Sequence, residues 1–115
     1  MRYLCLFYID PDLTSTVGED ELAQIYRTSL ALDERLMQSG HYVMASGLAR
    51  PATARTLRVR GAEMRWTDGP FAETKEYLGG FLLIEAADLS EAMAIAEEDP
   101  LARIGAVEIR ATKAP

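Results

Sequence analysis

Ionisable side chains crowd one short stretch of this sequence. The run DGPFAETKE, residues 68–76, holds Asp68, Glu73, Lys75 and Glu76 with Thr74 among them. In extended chain Glu73 and Lys75 fall on one side and Glu76 on the other. A carboxylate beside an ammonium has its proton affinity tuned by that neighbour, which suits a general base. Glu73 or Asp68 is therefore the expected catalytic base, and Lys75 or Arg110 the expected holder of an anionic group. The same charges equally suit a solvated ion pair, worth about 0–1 kcal/mol when exposed. Asp68-Gly69-Pro70 reads as a corner, because glycine allows positive φ and proline fixes the next one. Either the corner is a rigid turn in which Asp68 accepts backbone N–H groups, or it aims Phe71 and Glu73 at a pocket. Gly79-Gly80 follows, and paired glycines in a strand mark a bulge or the close approach of a backbone or a ligand.

Three further charges sit inside apolar strands. Glu108 and Arg110 alternate with Val107 and Ile109, and Glu85 follows Leu82 and Ile84. With the apolar residues turned toward helices, Glu85, Glu108 and Arg110 face the other side of a sheet. There they satisfy one another or contact a substrate, since buried charges need partners, or the last strand lies exposed at an edge. His41 directly follows Gly40 and suits a helix C-terminus. Cys5 reads as a small buried apolar residue. Trp66 and Tyr77 flank the charged run and suit a pocket wall, a core or an interface.

The elements that must position these residues follow from periodicity. Residues 2–9, RYLCLFYI, are apolar on both sides and predict a strand buried on both faces. Residues 13–18 read as a polar loop. A helix is predicted from Glu19 to Ser39, with Thr16 and Glu19 at capping-box spacing and Gly40 as its stop. Its expected core stripe is Leu22, Ile25, Tyr26, Leu32, Leu36 and Met37. His41–Leu48 reads as a strand. Thr56–Arg60 and Glu63–Thr67 read as a hairpin around Gly61-Ala62. Leu78–Ala86 is the next strand. Asp88 and Glu91 then cap a second helix, with Leu89, Ala92, Met93 and Ala96 on its core stripe and Asp99-Pro100 ending it. Gly105–Ala111 is the last strand. The order β-α-β, inserted β-hairpin, β-α-β predicts an α+β ferredoxin-like sandwich in one domain spanning residues 1–115. Two helices cover one side of such a sheet. The other side would leave apolar area at or above the few hundred Å² that monomers tolerate, so a two-fold homodimer closing a barrel between two sheets is expected.

Composition narrows the function. The chain has 115 residues, 49% hydrophobic and 26% charged, with a formal net charge of −6. That charge disfavours direct nucleic-acid binding, which rests on cations neutralising phosphates. One cysteine and one histidine cannot build a structural zinc site or an intrachain disulfide, so no metal or cofactor is expected. Asp10, Pro11 and Asp12 break the first apolar run, so neither a signal peptide nor a membrane span is expected, and the cytoplasm is the expected compartment.

DGPFAETKE, together with RYLCLFYID, HYVMASGLARPATARTLRVR and LSEAMAIAEEDPLARIGAVEIR, resembles the YCII-related family in its DGPF branch. The resemblance spans nearly the whole chain. It implies a ferredoxin-like dimeric α/β barrel. Some members of the wider family are suspected enzymes that rely on a histidine–aspartate pair, and this sequence has no histidine in or near its motif. Members of the DGPF branch are often encoded beside, or fused to, alternative sigma factors. Two functions are therefore expected. One is a small-molecule-binding protein or enzyme using Glu73, Lys75 and Asp68, with Phe71, Glu85, Glu108 and Arg110 against the ligand. The other is a non-catalytic regulatory module acting with a sigma factor.

Overall fold

The computed structural model describes residues 1–113. In chain order the elements are β1 (Arg2–Ile9), α1 (Pro11–Thr16), α2 (Glu19–Ser39), β2 (Tyr42–Gly47), β3 (Arg55–Arg60), β4 (Glu63–Asp68), β5 (Tyr77–Glu85), α3 (Leu89–Glu97) and β6 (Gly105–Ala111). A short 3-10 turn, Pro100–Ile104, leads into β6. Strands β2, β5, β1 and β6 form one sheet in that order, with every neighbouring pair antiparallel. This is the ferredoxin-like α+β arrangement that the order of elements implies.

The most apolar strand, β1, lies inside the sheet between β5 and β6. Its Tyr3, Cys5, Phe7 and Ile9 point toward the helices and are buried. Leu4, Leu6 and Tyr8 point the other way and are only partly covered. The expectation of a strand buried on both faces is thus met on one face, because no layer of this chain covers the second. On β5, Leu82 and Ile84 join the core, while Phe81 and Leu83 stand on the open face.

The long helix has the predicted bounds but not the predicted cap. Gly18 is its N-cap and makes no side-chain hydrogen bond. Thr16 belongs instead to α1, which occupies most of the expected loop. There Asp10 caps the first turn by accepting from the Asp12 N–H at 3.0 Å, and Pro11 supplies a preset φ. At the other end Gly40 adopts φ 82 and stops α2 as expected. The buried stripe of α2 is Ile25, Ser29, Leu32 and Leu36. Tyr26 and Met37, expected in that stripe, are 47% and 54% exposed. On α3 the buried residues are Ala92 and Ile95, whereas Leu89 and Met93 face outward. Asp88 accepts the Glu91 N–H at 2.9 Å, as its spacing predicts.

Strands β3 and β4 form a separate two-stranded sheet around Gly61, whose φ of 59 suits a tight turn. This arm projects from the body. The radius of gyration is 16.1 Å, against about 13 Å expected for a compact chain of this length. Among the described residues no helix is long and apolar enough to cross a membrane.

Candidate functional site

The principal cavity lies between α2 and the helix-facing side of β2 and β5, with a volume of about 700 Å³. It exists because the buried stripe of α2 holds the helix on the sheet while small residues line the sheet opposite. Gly47, Gly79 and Gly80 form part of its wall. Gly79 is the extra residue of a bulge, since Phe7 pairs with Gly80 and Tyr8 with Leu78. A side chain at Gly80 would place its Cβ 2.9 Å from the Ser46 carbonyl oxygen, so the β2–β5 contact itself requires glycine. Phe7, Ile9, Tyr77, Leu30 and Leu48 give the cavity its apolar surface, and Tyr26 and Tyr42 bring phenol groups.

Charged side chains reach this cavity from three parts of the chain: Asp33 and Glu34 on α2, Arg50 after β2, and Asp99 before β6. Asp99, at the head of the 3-10 turn, is 3% exposed. Its Oδ1 accepts the Leu101 N–H at 3.0 Å, and its Oδ2 accepts the Ser29 hydroxyl at 3.2 Å. Burial raises its pKa, against the lowering effect of those two hydrogen bonds. Asp33 stands one helical turn beyond Ser29 and also lines the cavity. Burial raises its pKa too, and the Asp99 charge adds to the rise. Both carboxyls thus hold their protons to higher pH than an ordinary aspartate does. Cys5, in the core beneath, is inert: burial and then the Asp99 charge push its thiol up to about 11.

The charged run lies elsewhere. Asp68 ends β4, where its carboxylate pairs with Arg55 Nε at 3.1 Å across the arm and accepts no backbone N–H among the described residues. Phe71 is 76% exposed and carries the Arg58 guanidinium 5.4 Å over its ring. Glu73 is exposed. Lys75 pairs with Asp12 at 2.9 Å and Asp10 at 3.8 Å, not with Glu73, so its charge is drawn to the start of α1. Its pKa is raised, chiefly by the hydrogen bond to Asp12. A second hollow of about 550 Å³, on the outer side, involves Tyr8, Asp10, Thr74, Lys75 and Glu76. None of Asp68, Phe71, Glu73 or Lys75 lines the principal cavity, whereas Tyr77, Gly79 and Gly80 at the motif's far end do.

Glu85, Glu108 and Arg110 share the open face of the sheet, as their alternation predicts, but they do not form one network within the chain. Glu85 pairs with Arg2 Nε at 3.4 Å and with the N-terminal ammonium at 3.8 Å. Glu108 accepts the Tyr8 hydroxyl at 3.2 Å. Arg110 stands opposite Leu4. His41 does more than cap α2. Its Nε2 meets Glu91 Oε1 at 3.0 Å and its Nδ1 meets Ser39 Oγ at 2.7 Å, so it ties the end of α2 to the start of α3. Ser39 Oγ also donates to the Leu36 carbonyl oxygen, and the trio borders neither cavity.

Asp99 and Asp33 escape a reading of the sequence because Asp-Pro after a helix reads as a stop. One signal was present. Ser29 interrupts the otherwise apolar stripe of Ile25, Leu32 and Leu36, and a hydroxyl at a core position needs a buried partner.

Residues 1–114 match the YCII-related domain. The chain belongs to the YCII-related family. Within reach of this family member is an uncharacterized protein of Rhizobium meliloti (strain 1021), 37% identical over 98 residues that cover 85% of this chain and 79% of that protein. Among solved structures, the YCII-related chain is similar to 5-chloro-2-hydroxyhydroquinone dehydrochlorinase (TftG) from Burkholderia phenoliruptrix AC1100, in complex with 2,5-dihydroxybenzoquinone. The TM-score is 0.55 with 20% identity, over 98% of this chain and 94% of that one, which establishes likeness of fold.

Proposed function

We propose that this YCII-related protein binds a small, mostly apolar molecule in the cavity between α2 and the sheet, and moves a proton on it through Asp99 and Asp33. The observation that carries the reading is the buried Asp99 carboxyl, held by Ser29 and Leu101 at the wall of a cavity of about 700 Å³. Cavities of that size suit ligands of one or two rings. Phe7, Leu30 and Leu48 offer such a ligand apolar walls, and the Tyr26 and Tyr42 hydroxyls offer hydrogen bonds to its oxygens. The dehydrochlorinase of similar fold has a small oxygenated ring bound, a ligand of the class this cavity suits. In this reading Asp99 is held in place by its two donors and Asp33, nearer the mouth, exchanges protons with the ligand. The motif DGPFAETKE then serves mainly to shape the arm's root and to deliver Gly79 and Gly80 to the cavity wall. The same motif supports placing the chain in the DGPF branch.

The test is a calorimetric titration with hydroxylated quinones and catechols. Saturable binding at one site per chain is expected, weakened at least about tenfold by Asp99→Asn. Binding that survives Asp99→Asn and disappears in Lys75→Ala would move the site to the charged loop.

We propose further that two copies pair through the open face of the sheet and close a barrel. Met44 is 50% and Leu78 36% exposed on that side, and Leu4, Leu6, Phe81 and Leu83 are only partly covered. A face so apolar favours a covered state.

A further inference from the structure

The β3–β4 arm presents two chemically different faces. Cross-strand pairing sets Leu57 against Trp66 and Val59 against Met64, so these four form one apolar face. They are 42%, 62%, 50% and 66% exposed. The opposite face carries Arg58, Arg60 and Arg65. Both faces are largely exposed, with Arg58 partly covered against Phe71. Among the described residues, every hydrogen bond and ion pair made by residues 50–71 stays within that segment. A two-stranded hairpin with nothing packed on it is marginal in water. The apolar face of this arm therefore belongs to an interface.

Charge says what kind of partner. Residues 50–68 hold five arginines against Glu63 and Asp68, a net of +3, which leaves the rest of the chain at −9. The arm thus calls for a surface that is both apolar and acidic. The open face of this chain's own sheet supplies the apolar part, Leu4, Leu6, Phe81 and Leu83, with Glu85 and Glu108 there balanced by Arg2 and Arg110, and the acid comes from the rest of a body whose net charge is −9. Shape says which copy supplies it. The molecule is a slab of 48 × 42 × 19 Å, so the arm extends in the plane of its own sheet and helix layers instead of folding over them. Its root is fixed by the Leu48 N–H bonded to the Gly79 carbonyl oxygen at 2.9 Å. An arm lying in that plane overhangs the end of its own sheet, where it meets a second molecule stacked sheet to sheet.

We propose that the β3–β4 arm is a clasp whose apolar face, Leu57, Val59, Met64 and Trp66, packs on the rim of the open sheet face of a second copy of this chain, with its arginines near that copy's carboxylates. The clasp rests on the sheet-to-sheet pairing proposed above and adds to it a reciprocal exchange of arms, as two-fold symmetry requires.

Trp66 is the one tryptophan in the chain, so its fluorescence reports the arm alone. The experiment measures acrylamide quenching of Trp66 in the full-length protein across a dilution series, with sedimentation run on the same samples. Trp66 shielded in the dimer and exposed on dilution to monomer is the expected result. Trp66→Glu, at a residue already exposed in the single chain, should weaken dimerisation at least roughly tenfold while the circular dichroism spectrum is unchanged. Leu57→Glu, on the facing strand, should do the same. A dimer in which Trp66 remains fully quenchable would overturn the clasp and leave the sheet pairing intact. A monomer at all concentrations would overturn both. Shielding that persists unchanged in the monomer would place the arm on its own chain and also overturn the clasp.

Discussion

Asp99 joins residues that are far apart in the chain, and its protonation is where this protein's pH dependence should be read. Its pKa is raised above the ordinary 3.8 by burial, so the folded state keeps the proton to higher pH than the unfolded state does. Between the unfolded and folded values the folded state binds more protons, and folding stability falls as pH rises through that window. Above the folded value the loss is complete and constant. Urea unfolding followed from pH 3.5 upward should show this decline, and Asp99→Asn should flatten it. Asparagine can still accept the Leu101 N–H through its carbonyl and donate to Ser29, so the variant should remain folded at neutral pH. An unaltered decline in the variant would assign the pH dependence to Asp33 instead. The sequence could not single out Asp99, because its importance comes from a partner, Ser29, 70 positions away. Lys75 teaches the same lesson in reverse. Glu73 and Glu76 are close to it in sequence, yet its charge goes to Asp10 and Asp12, which the fold brings to it.

Helix α2 carries two apolar stripes. One, through Ile25, Leu32 and Leu36, is buried. The other, through Tyr26, Leu30 and Met37, borders the cavity and is 47–64% exposed. Periodicity alone merges them, because residues at adjacent helical angles satisfy the same 3.6-residue repeat. The energetic difference is large. Leu32 is 1% exposed, and Leu32→Ala should cost about 2–5 kcal/mol through lost transfer energy and an unfilled cavity. Leu30→Ala, at 64% exposure, should change stability by about 0.5 kcal/mol or less while weakening ligand binding. Denaturant titrations of the two variants test the assignment directly, and equal losses would contradict it. On α3 the sequence is apolar on nearly every side, so periodicity finds Ala92 but takes Leu89 and Met93 for core where the fold buries Ile95.

At the scale of the molecule, the open sheet face and the projecting arm are the two features that a single chain leaves unfinished. Both are apolar, and both lie outside the core that α2 and α3 build on the other side of the sheet. The sheet pairing predicts that Leu6→Glu, in the middle of the open face and flanked by Phe81 and Glu108, gives a folded monomer. Sedimentation at micromolar concentration should find the wild type as a dimer and the variant at half that mass. A variant that remains dimeric would show that the copies meet elsewhere. The stability of the isolated fold should change little, since Leu6 is outside the buried core.

Local chemistry, and therefore the sequence, determined the strands and the helices α2 and α3 of this protein and their order, though not α1. The Asp88 cap, the left-handed Gly40 and the alternation in β6 act over a few residues, and each was legible without coordinates. The ferredoxin-like order followed, because few arrangements connect such elements without crossing. Family membership was legible for the same reason, since DGPFAETKE is a contiguous string. Tertiary structure alone decided where the cavity opens, which side of α2 is core, and which carboxyls are buried. Those depend on contacts between residues distant in the chain, such as Asp99 with Ser29 and Lys75 with Asp12. The densest charge in the sequence thus settled on an exposed loop, where Lys75 meets Asp10 and Asp12, while Asp99 is buried at the cavity wall and Asp33 lines that cavity beside Glu34.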